Sequence, residues 1–168
     1  MLTYWKSKKI SEVEVVQALD FAMQLELDGK AFYLAQAEKM EDLTLKVILE
    51  ELALDEERHY QFVKQIKESG IYDYEGGTII DRQPDIFPSP GQERLEKEKY
   101  SSYIAVYEQA IEFEEKSRDL YGDLAREAKS DGEREAFLML QREEEAHRTL
   151  LWRLLQFLQR PEEWYPYI

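Results

Sequence analysis

Residues 52–59 read LALDEERH, and residues 140–147, which lie 88 positions later, read LQREEEAH. Each segment places a glutamate three residues before its final histidine, and the chain has no other histidine. On a helix, residues three apart share a face, so each segment can direct a carboxylate and an imidazole at one point. One such pair is weak evidence because helices are rich in glutamate. Two pairs at equivalent positions that use both histidines form a far more specific pattern.

The 88-residue repeat extends upstream of both segments. It pairs residues of one type at three further positions, which are Ala22 with Ala110, Glu26 with Glu114 and Tyr33 with Tyr121. Helix-forming residues dominate the composition, whereas glycine and proline are scarce outside one stretch. The sequence therefore predicts an all-α fold that is built from two helical hairpins of one design.

Four amphipathic segments define the helices of a single predicted domain that spans residues 1–168. We expect helices at about residues 11–39, 43–69, 92–129 and 131–160. Between them, a crossover at about residues 70–91 holds two adjacent glycines and three prolines, which break helices. A connection of this length can traverse the bundle and make the second and third helices parallel. The prediction is a ferritin-like four-helix bundle.

The glutamates and histidines of the repeat lie in apolar stripes that should face the core. Glu56 and His59 share their stripe with Leu52 and Val63, and the second half repeats this arrangement. Glu26, and its counterpart Glu114, lie in similar stripes on the preceding helices. A buried carboxylate must be paired, protonated or bound to a metal, because an isolated charge is costly to bury.

These residues should also meet at one height of the bundle. Glu26 lies 15 residues before Glu41 and Glu56 lies 15 after it, so a turn at Glu41 brings the two carboxylates level. A second turn at Lys129 does the same for the other half. The predicted metal ligands are Glu26, Glu56, His59, Glu114, Glu144 and His147. Four carboxylates balance two divalent ions. Imidazole and carboxylate ligands suit iron, manganese or zinc, and carboxylate-rich sites favour iron or manganese.

The alternative to a metal site is a water-filled or ion-paired seam, but no buried basic partner is evident. The nearest candidates, Lys30 and Arg118, should extend to the edge of the seam. Asp55 could orient His147, and Glu143 could orient His59, since ligating histidines usually donate their second N–H group to a carboxylate or carbonyl. Alternatively, Asp55 and Glu143 are ordinary acidic residues on the surface.

The two repeated tyrosines lie two turns after Glu26 and Glu114. Tyr33 and Tyr121 could therefore donate hydrogen bonds to ligand carboxylates or could serve only as core aromatics.

Composition excludes several kinds of function. With 22 basic and 36 acidic residues the net charge is −14, which repels nucleic acid and anionic lipid. The absence of cysteine excludes disulfides, thiolate ligands and a cysteine nucleophile. Residues 1–11 lack the apolar core of a secretory signal, and no apolar run is long enough to span a membrane, so a cytoplasmic location is expected.

The combined motifs resemble the ferritin-like di-iron carboxylate superfamily, and within it the rubrerythrin branch. The resemblance extends over all four helices, from about residue 11 to residue 160. It implies two iron ions that react with hydrogen peroxide or dioxygen. By resemblance, Glu56 and Glu144 bridge the ions, and the terminal ligand pairs are Glu26 with His59 and Glu114 with His147.

Two departures from the rubrerythrin pattern concern the chemistry. Ser117 stands where rubrerythrins carry an additional glutamate, three residues after the ligand of the third helix. The chain also has no cysteine and therefore no rubredoxin module, so electrons are expected from an external donor such as a rubredoxin-like protein. Bacterioferritin has a similar ligand set, but Glu57 replaces its haem-binding methionine, and no fifth helix is evident for a storage cage.

Three functions remain open from the sequence. The leading hypothesis is an oxidoreductase that reduces peroxide or dioxygen, and the alternatives are a cage-less ferroxidase or iron-handling protein and a metal-stabilised structural or sensory module. Aromatic residues concentrated towards the chain ends favour a homodimer, because interfaces are rich in tyrosine and tryptophan. They could instead cap the core of one chain. These residues are Tyr4, Trp5, Trp152, Trp164, Tyr165 and Tyr167.

Overall fold

The protein is an all-α bundle in a computed structural model that describes residues 12–74, 76, 77, 79 and 97–160. The four helices are α1 (Glu12–Ala37), α2 (Leu43–Ser69), α3 (Lys97–Glu127) and α4 (Asp131–Gln159). These residues contain no β-strand, and the predicted fold class is confirmed. Across the described part of the chain, no helix is long and apolar enough to cross a membrane.

Local side-chain chemistry defines the helix ends. The Asp42 carboxylate accepts a hydrogen bond from the backbone N–H of Leu45 at 2.9 Å and so caps the start of α2. Gly70 ends this helix in the left-handed conformation, with φ of 64°, which glycine adopts without steric penalty. Ser130 caps α4 through a 3.1 Å hydrogen bond from the Glu133 N–H, as its capping-box sequence predicts.

Some predicted boundaries differ from those in the structure. α1 ends at Ala37 and not near residue 39, because hydrogen bonds from Lys39 N to Gln36 O and from Met40 N to Ala37 O tighten the chain after it. α3 ends two residues before the predicted residue 129, and α4 ends one residue before residue 160. The predicted starts at residues 11 and 92 and most of the crossover lie outside the described residues, so the single domain over residues 1–168 stays a prediction.

Contacts between the helices define the topology. α1 packs along α2, and α3 packs along α4, as two antiparallel hairpins. The backbone N–H of Glu41, after α1, donates to the Tyr103 hydroxyl near the start of α3 at 3.2 Å, so α1 and α3 are also antiparallel. Helices α2 and α3 are therefore parallel, and Ser69 and Lys97 lie towards opposite ends of the bundle. The predicted crossover topology is confirmed.

Two apolar clusters fill the core at different heights. The cluster nearer the N-terminus of α1 includes Leu19, Ala22, Val63, Phe137 and Leu140. The other cluster includes Leu49, Leu52, Tyr107, Leu151 and Leu154. Between them lies a layer of buried polar residues, each at most 8% exposed, which consists of Glu26, Asp55, Glu56, His59, Glu114, Ser117, Glu143, Glu144 and His147. The bundle thus encloses its acids and histidines between two water-excluding layers.

Candidate metal centre

The six predicted ligands lie in this polar layer, and none is more than 3% exposed. Their potential ligand atoms form two groups, in each of which all atoms lie within 4.8 Å of one another. One group holds Glu26, His59 and Glu144, and the other holds Glu56, Glu114, Glu144 and His147. Glu144 belongs to both groups, whereas Glu56 belongs to the second alone. Residues from all four helices are thus assembled into two adjoining sites.

Both histidines direct Nδ1 towards the carboxylates. His59 Nδ1 lies 2.8 Å from Glu144 Oε1 and 3.5 Å from Glu26 Oε2. His147 Nδ1 lies 3.5 Å from Glu114 Oε2. The two imidazole rings stack with their centroids 5.5 Å apart and their planes 22° from parallel. Their Nδ1 atoms therefore face the interior of one shared site.

The outer nitrogen of each histidine contacts a carboxylate from the opposite hairpin. His59 Nε2 lies 2.8 Å from Glu143 Oε2, and His147 Nε2 lies 3.1 Å from Asp55 Oδ2. An ionised carboxylate only accepts hydrogen bonds, so Nε2 carries the proton, and in the neutral ring Nδ1 presents its lone pair inward. Both predicted histidine partners are confirmed.

Two buried tyrosines donate hydrogen bonds to Glu114 and Glu26. Tyr33 donates to Glu114 Oε1, and Tyr121 donates to Glu26 Oε1, so each bond joins α1 to α3. Burial raises the pKa of both phenols, which keeps them protonated as donors. The second oxygen of each glutamate remains directed towards the histidines. The predicted role of the tyrosines as hydrogen-bond donors is confirmed.

Lys30 and Arg118, which the sequence predicts to extend to the edge of the site, pair outside the polar layer. Lys30 Nζ donates to Glu57 at 2.7 Å, and Arg118, its counterpart in the repeat, donates to Glu145 at 3.0 Å. In the described part of the chain, no lysine or arginine is buried. An ion-paired seam, the alternative to a metal site, therefore finds no buried basic partner in that part.

The polar layer contains unpaired lone pairs, which provide a test of whether metal fits. Seven buried atoms of the six predicted ligands have no hydrogen-bond partner outside that set among the described residues; they are Glu26 Oε2, Glu56 Oε1, Glu114 Oε2, both Glu144 oxygens and the Nδ1 atoms of His59 and His147. A buried polar atom without a partner costs about 1–3 kcal/mol. All seven are carboxylate oxygens or imidazole nitrogens, which are the ligand atoms that iron, manganese or zinc binds, so the residues fit two metal ions.

Without a cation, the carboxylates of the layer raise one another's affinity for protons. Burial raises the pKa of Glu56 and of Glu144, and the charge of Glu26 adds to both shifts. Burial acts to lower the pKa of His59, but Glu144 and Glu143 outweigh it, and the net shift is upward. The metal-free site is therefore expected to hold protons in place of metal.

This electrostatic arrangement predicts that the metal-free protein loses stability as pH rises. The pKa values of Glu56 and Glu144 lie above the ordinary 4.5, so the stability from their protonation is complete below that pH and is lost as pH rises through the folded-state values. The pKa values of Glu114 and Glu143 are lowered, so the stability that these two groups contribute is lost only when the pH falls below 4.5. Calorimetry should give a higher melting temperature near pH 5 than near pH 8. A melting temperature that rises over this interval would contradict the prediction.

A protein-family model described as Rubrerythrin matches residues 17–155. The chain belongs to the rubrerythrin family. The match includes all six predicted ligands and most of each of the four helices, and together with the buried cluster it suggests a dinuclear metal site. Comparison with curated proteins and comparison with solved structures gave no match.

Position 29 and its counterpart, position 117, mark a difference between the two halves of this rubrerythrin-family bundle. A Cβ atom on Gly29 would lie 3.0 Å from Glu56 Oε2, so the glycine allows this carboxylate to approach α1 closely. Ser117 is buried one turn after Glu114, at the position where the resemblance leads us to expect another glutamate. The close approach at Gly29 was not anticipated from the sequence.

Proposed function

We propose that this rubrerythrin-family chain binds two iron ions and reduces hydrogen peroxide or dioxygen with electrons from an external donor. One observation carries the proposal, namely that the unpaired lone pairs of four glutamates and two histidines converge in one buried layer. Manganese and zinc bind the same types of ligand atom as iron, so the choice of iron comes from the family resemblance.

Within this proposal, Glu26 and His59 hold one ion, and Glu114 and His147 hold the other. Glu144 belongs to both groups of ligand atoms, which supports a bridging role. The bridging role of Glu56 is based on the resemblance, since Glu56 lies in the group of His147 alone.

The bound iron pair would supply the redox chemistry of peroxide or dioxygen reduction. Tyr33 and Tyr121 fix the terminal glutamates by donating to their outer oxygens. Glu143 and Asp55 hold the histidines with Nδ1 inward. The apolar clusters above and below exclude water, which strengthens every electrostatic interaction inside the layer.

Metal analysis and turnover test the proposal together. Protein purified without added metal should contain two irons per chain and should consume hydrogen peroxide in the presence of a reductant. Protein that binds two irons but shows no turnover would contradict the enzymatic role. Protein that binds no transition metal at these residues would contradict the metal centre itself.

A second candidate, a ferroxidase that holds iron transiently without a cage, is favoured by Ser117. This residue supplies no carboxylate where the family pattern has a ligand, so the site has six ligand candidates. Retention of more than two irons per chain after oxidation would favour this candidate over peroxide reduction.

Replacing Ser117 with glutamate should restore the missing carboxylate. The side chain is 4% exposed and lies on the same face as Glu114, one turn along α3. We expect Ser117→Glu to change the visible spectrum of the oxidised iron form and to raise peroxide turnover. The measurement compares both iron-loaded proteins, and identical spectra and rates would show that position 117 does not face the metals.

We also propose that the protein is a cytoplasmic homodimer that receives electrons from a rubredoxin-like donor and binds neither nucleic acid nor membrane. Of the predicted interface aromatics, Trp152 is half exposed, and the other five lie outside the described residues. The described part of the first hairpin supports association, since it carries most of the exposed large apolar side chains, which are Val16, Phe21, Leu27, Leu34, Leu43, Val47 and Leu54. Light scattering at micromolar concentration should give twice the 20.0 kDa chain mass, and a monomer mass would contradict the dimer.

A further inference from the structure

The segment that follows α2 contacts the outer partners of both histidines. We refer to residues 71–74, 76, 77 and 79, which the structure describes here, as the post-α2 segment. The Tyr74 hydroxyl donates to Glu143 Oε2 at 3.0 Å, and Glu143 in turn contacts His59. Five residues later, the backbone N–H of Ile79 donates to Asp55 Oδ2 at 3.0 Å, the same oxygen that contacts His147. One short stretch of chain therefore reaches both halves of the site.

Several further contacts hold this segment in place. Gly77 O accepts a 3.2 Å hydrogen bond from Arg58, which also pairs with Asp55. The Tyr74 ring packs against Phe62 with the centroids 4.6 Å apart. The side chain of Ile79 is fully buried in an apolar core cluster. The two donors are thus anchored to the bundle and are not presented by a free loop.

The post-α2 segment breaks the near-symmetry of the site. The repeat supplies each half with the same ligand types, but within the described residues the post-α2 segment offers each half a different donor. Asp55 is fully buried and accepts from a backbone N–H group. The Glu143 side chain is 10% exposed and accepts from the hydroxyl of Tyr74, a partly buried side chain. The support behind His147 is consequently more deeply buried than the support behind His59.

We propose that the post-α2 segment is a positioning element that makes the two metal positions unequal. Tyr74 acts through Glu143 to orient His59, whereas the Ile79 backbone acts through Asp55 to orient His147. Partners of this kind fix the direction of the ring and raise the basicity of the ligand nitrogen. The inference rests on the proposed dinuclear site, and it assigns the weaker binding step to the position of His59.

Titration of metal-free protein with Co²⁺ tests this inference. Tyr74→Phe removes one hydroxyl and keeps the ring that packs on Phe62. We expect one of the two binding steps to weaken by about 10-fold, the lower end of the effect of losing such a partner, while the other step is unchanged. Tyr72→Phe is the matched control, because the Tyr72 ring lies beside Gly132 at the start of α4. This control should leave both steps as in the wild type.

A spectroscopic measurement identifies which histidine responds. In the Co²⁺-loaded protein, the Nε2–H protons of the two histidines give separate shifted proton resonances that exchange with water. The His59 proton should exchange faster in Tyr74→Phe, and the His147 proton should not. Glu143→Gln should weaken the same step as Tyr74→Phe, whereas Asp55→Asn should weaken the other step, and this pair of variants tests the inference even if Tyr74→Phe fails to fold.

The outcomes separate this inference from the proposed function. If the wild type fails to bind two Co²⁺ ions, the dinuclear site is wrong, and the inference fails with it. If the wild type binds two ions and Tyr74→Phe changes neither step, or weakens both equally, only the positioning role is overturned. The same holds if Glu143→Gln and Asp55→Asn affect the same step.

Discussion

Replacing Glu144 with alanine should leave a helical protein that retains fewer than two metal ions and has lost at least about 100-fold in turnover, the scale for removing one electrostatic contact at a reacting centre. Among the residues that the structure describes, Glu144 alone belongs to both groups of ligand atoms, so its loss should affect both ions. Metal content per chain and peroxide turnover are the measurements. Glu56→Ala should act in the same direction if Glu56 also bridges.

Replacing either histidine should have a smaller effect on metal binding than replacing Glu144. His59→Ala and His147→Ala should each abolish turnover but leave four carboxylates that still hold some cation in a folded bundle. Glu145→Ala is the matched control, because Glu145 directly follows Glu144 in sequence but pairs with Arg118 and Arg148 outside the polar layer. Turnover in Glu144→Ala equal to that of this control would show that Glu144 is not a ligand.

Removal of metal should lower the melting temperature substantially. A ligand that binds only the native state stabilises it by about 2.7 kcal/mol when present at 100 times its dissociation constant. For a chain of this size, that free energy corresponds to about 5–10 °C per bound ion. Repulsion among four buried carboxylates adds to the loss when no cation is present. Calorimetry at pH 7 with and without a strong chelator measures the shift.

Two comparisons show whether such a shift comes from the polar layer. Adding Fe²⁺ back to chelated protein should restore the original melting temperature. The Glu144→Ala variant should lose less stability on chelation than the wild type, because it holds less metal. An unchanged melting temperature in chelated wild-type protein would mean that the buried acids do not bind metal.

The sequence predicted the helices well because their signals are local. Asp42, Gly70 and Ser130 cap helices with the side-chain or backbone chemistry that their residue types favour. The end of α1 was placed two residues too far along, because helix-forming residues continue past Ala37 while the backbone already tightens into the turn. The parallel arrangement of α2 and α3 followed from the length of the connection.

The 88-residue repeat made part of the site predictable from the sequence. Equivalent positions in two halves identified the six ligand candidates and their carboxylate partners Asp55 and Glu143. The donors from the post-α2 segment were missed, because a backbone N–H such as that of Ile79 has no sequence signature. Tyr74 lies in a stretch without helical periodicity, so its contact with Glu143 was not evident. The unequal placement of Glu56 and Glu144 depends on side-chain geometry that the repeat cannot resolve.

The cross-hairpin hydrogen bonds also bear on the order of folding. The bonds from Tyr33 to Glu114, from Tyr121 to Glu26 and between each histidine and its outer carboxylate join residues 81–95 positions apart. Forming contacts between residues so far apart in sequence requires closing a large loop. The contacts within each hairpin join residues that are closer in sequence and so require a smaller loop. The chain can therefore complete both hairpins before any of these bonds exists. Newly made protein would acquire its capacity to hold metal only at the final docking step, after most of its helix has formed.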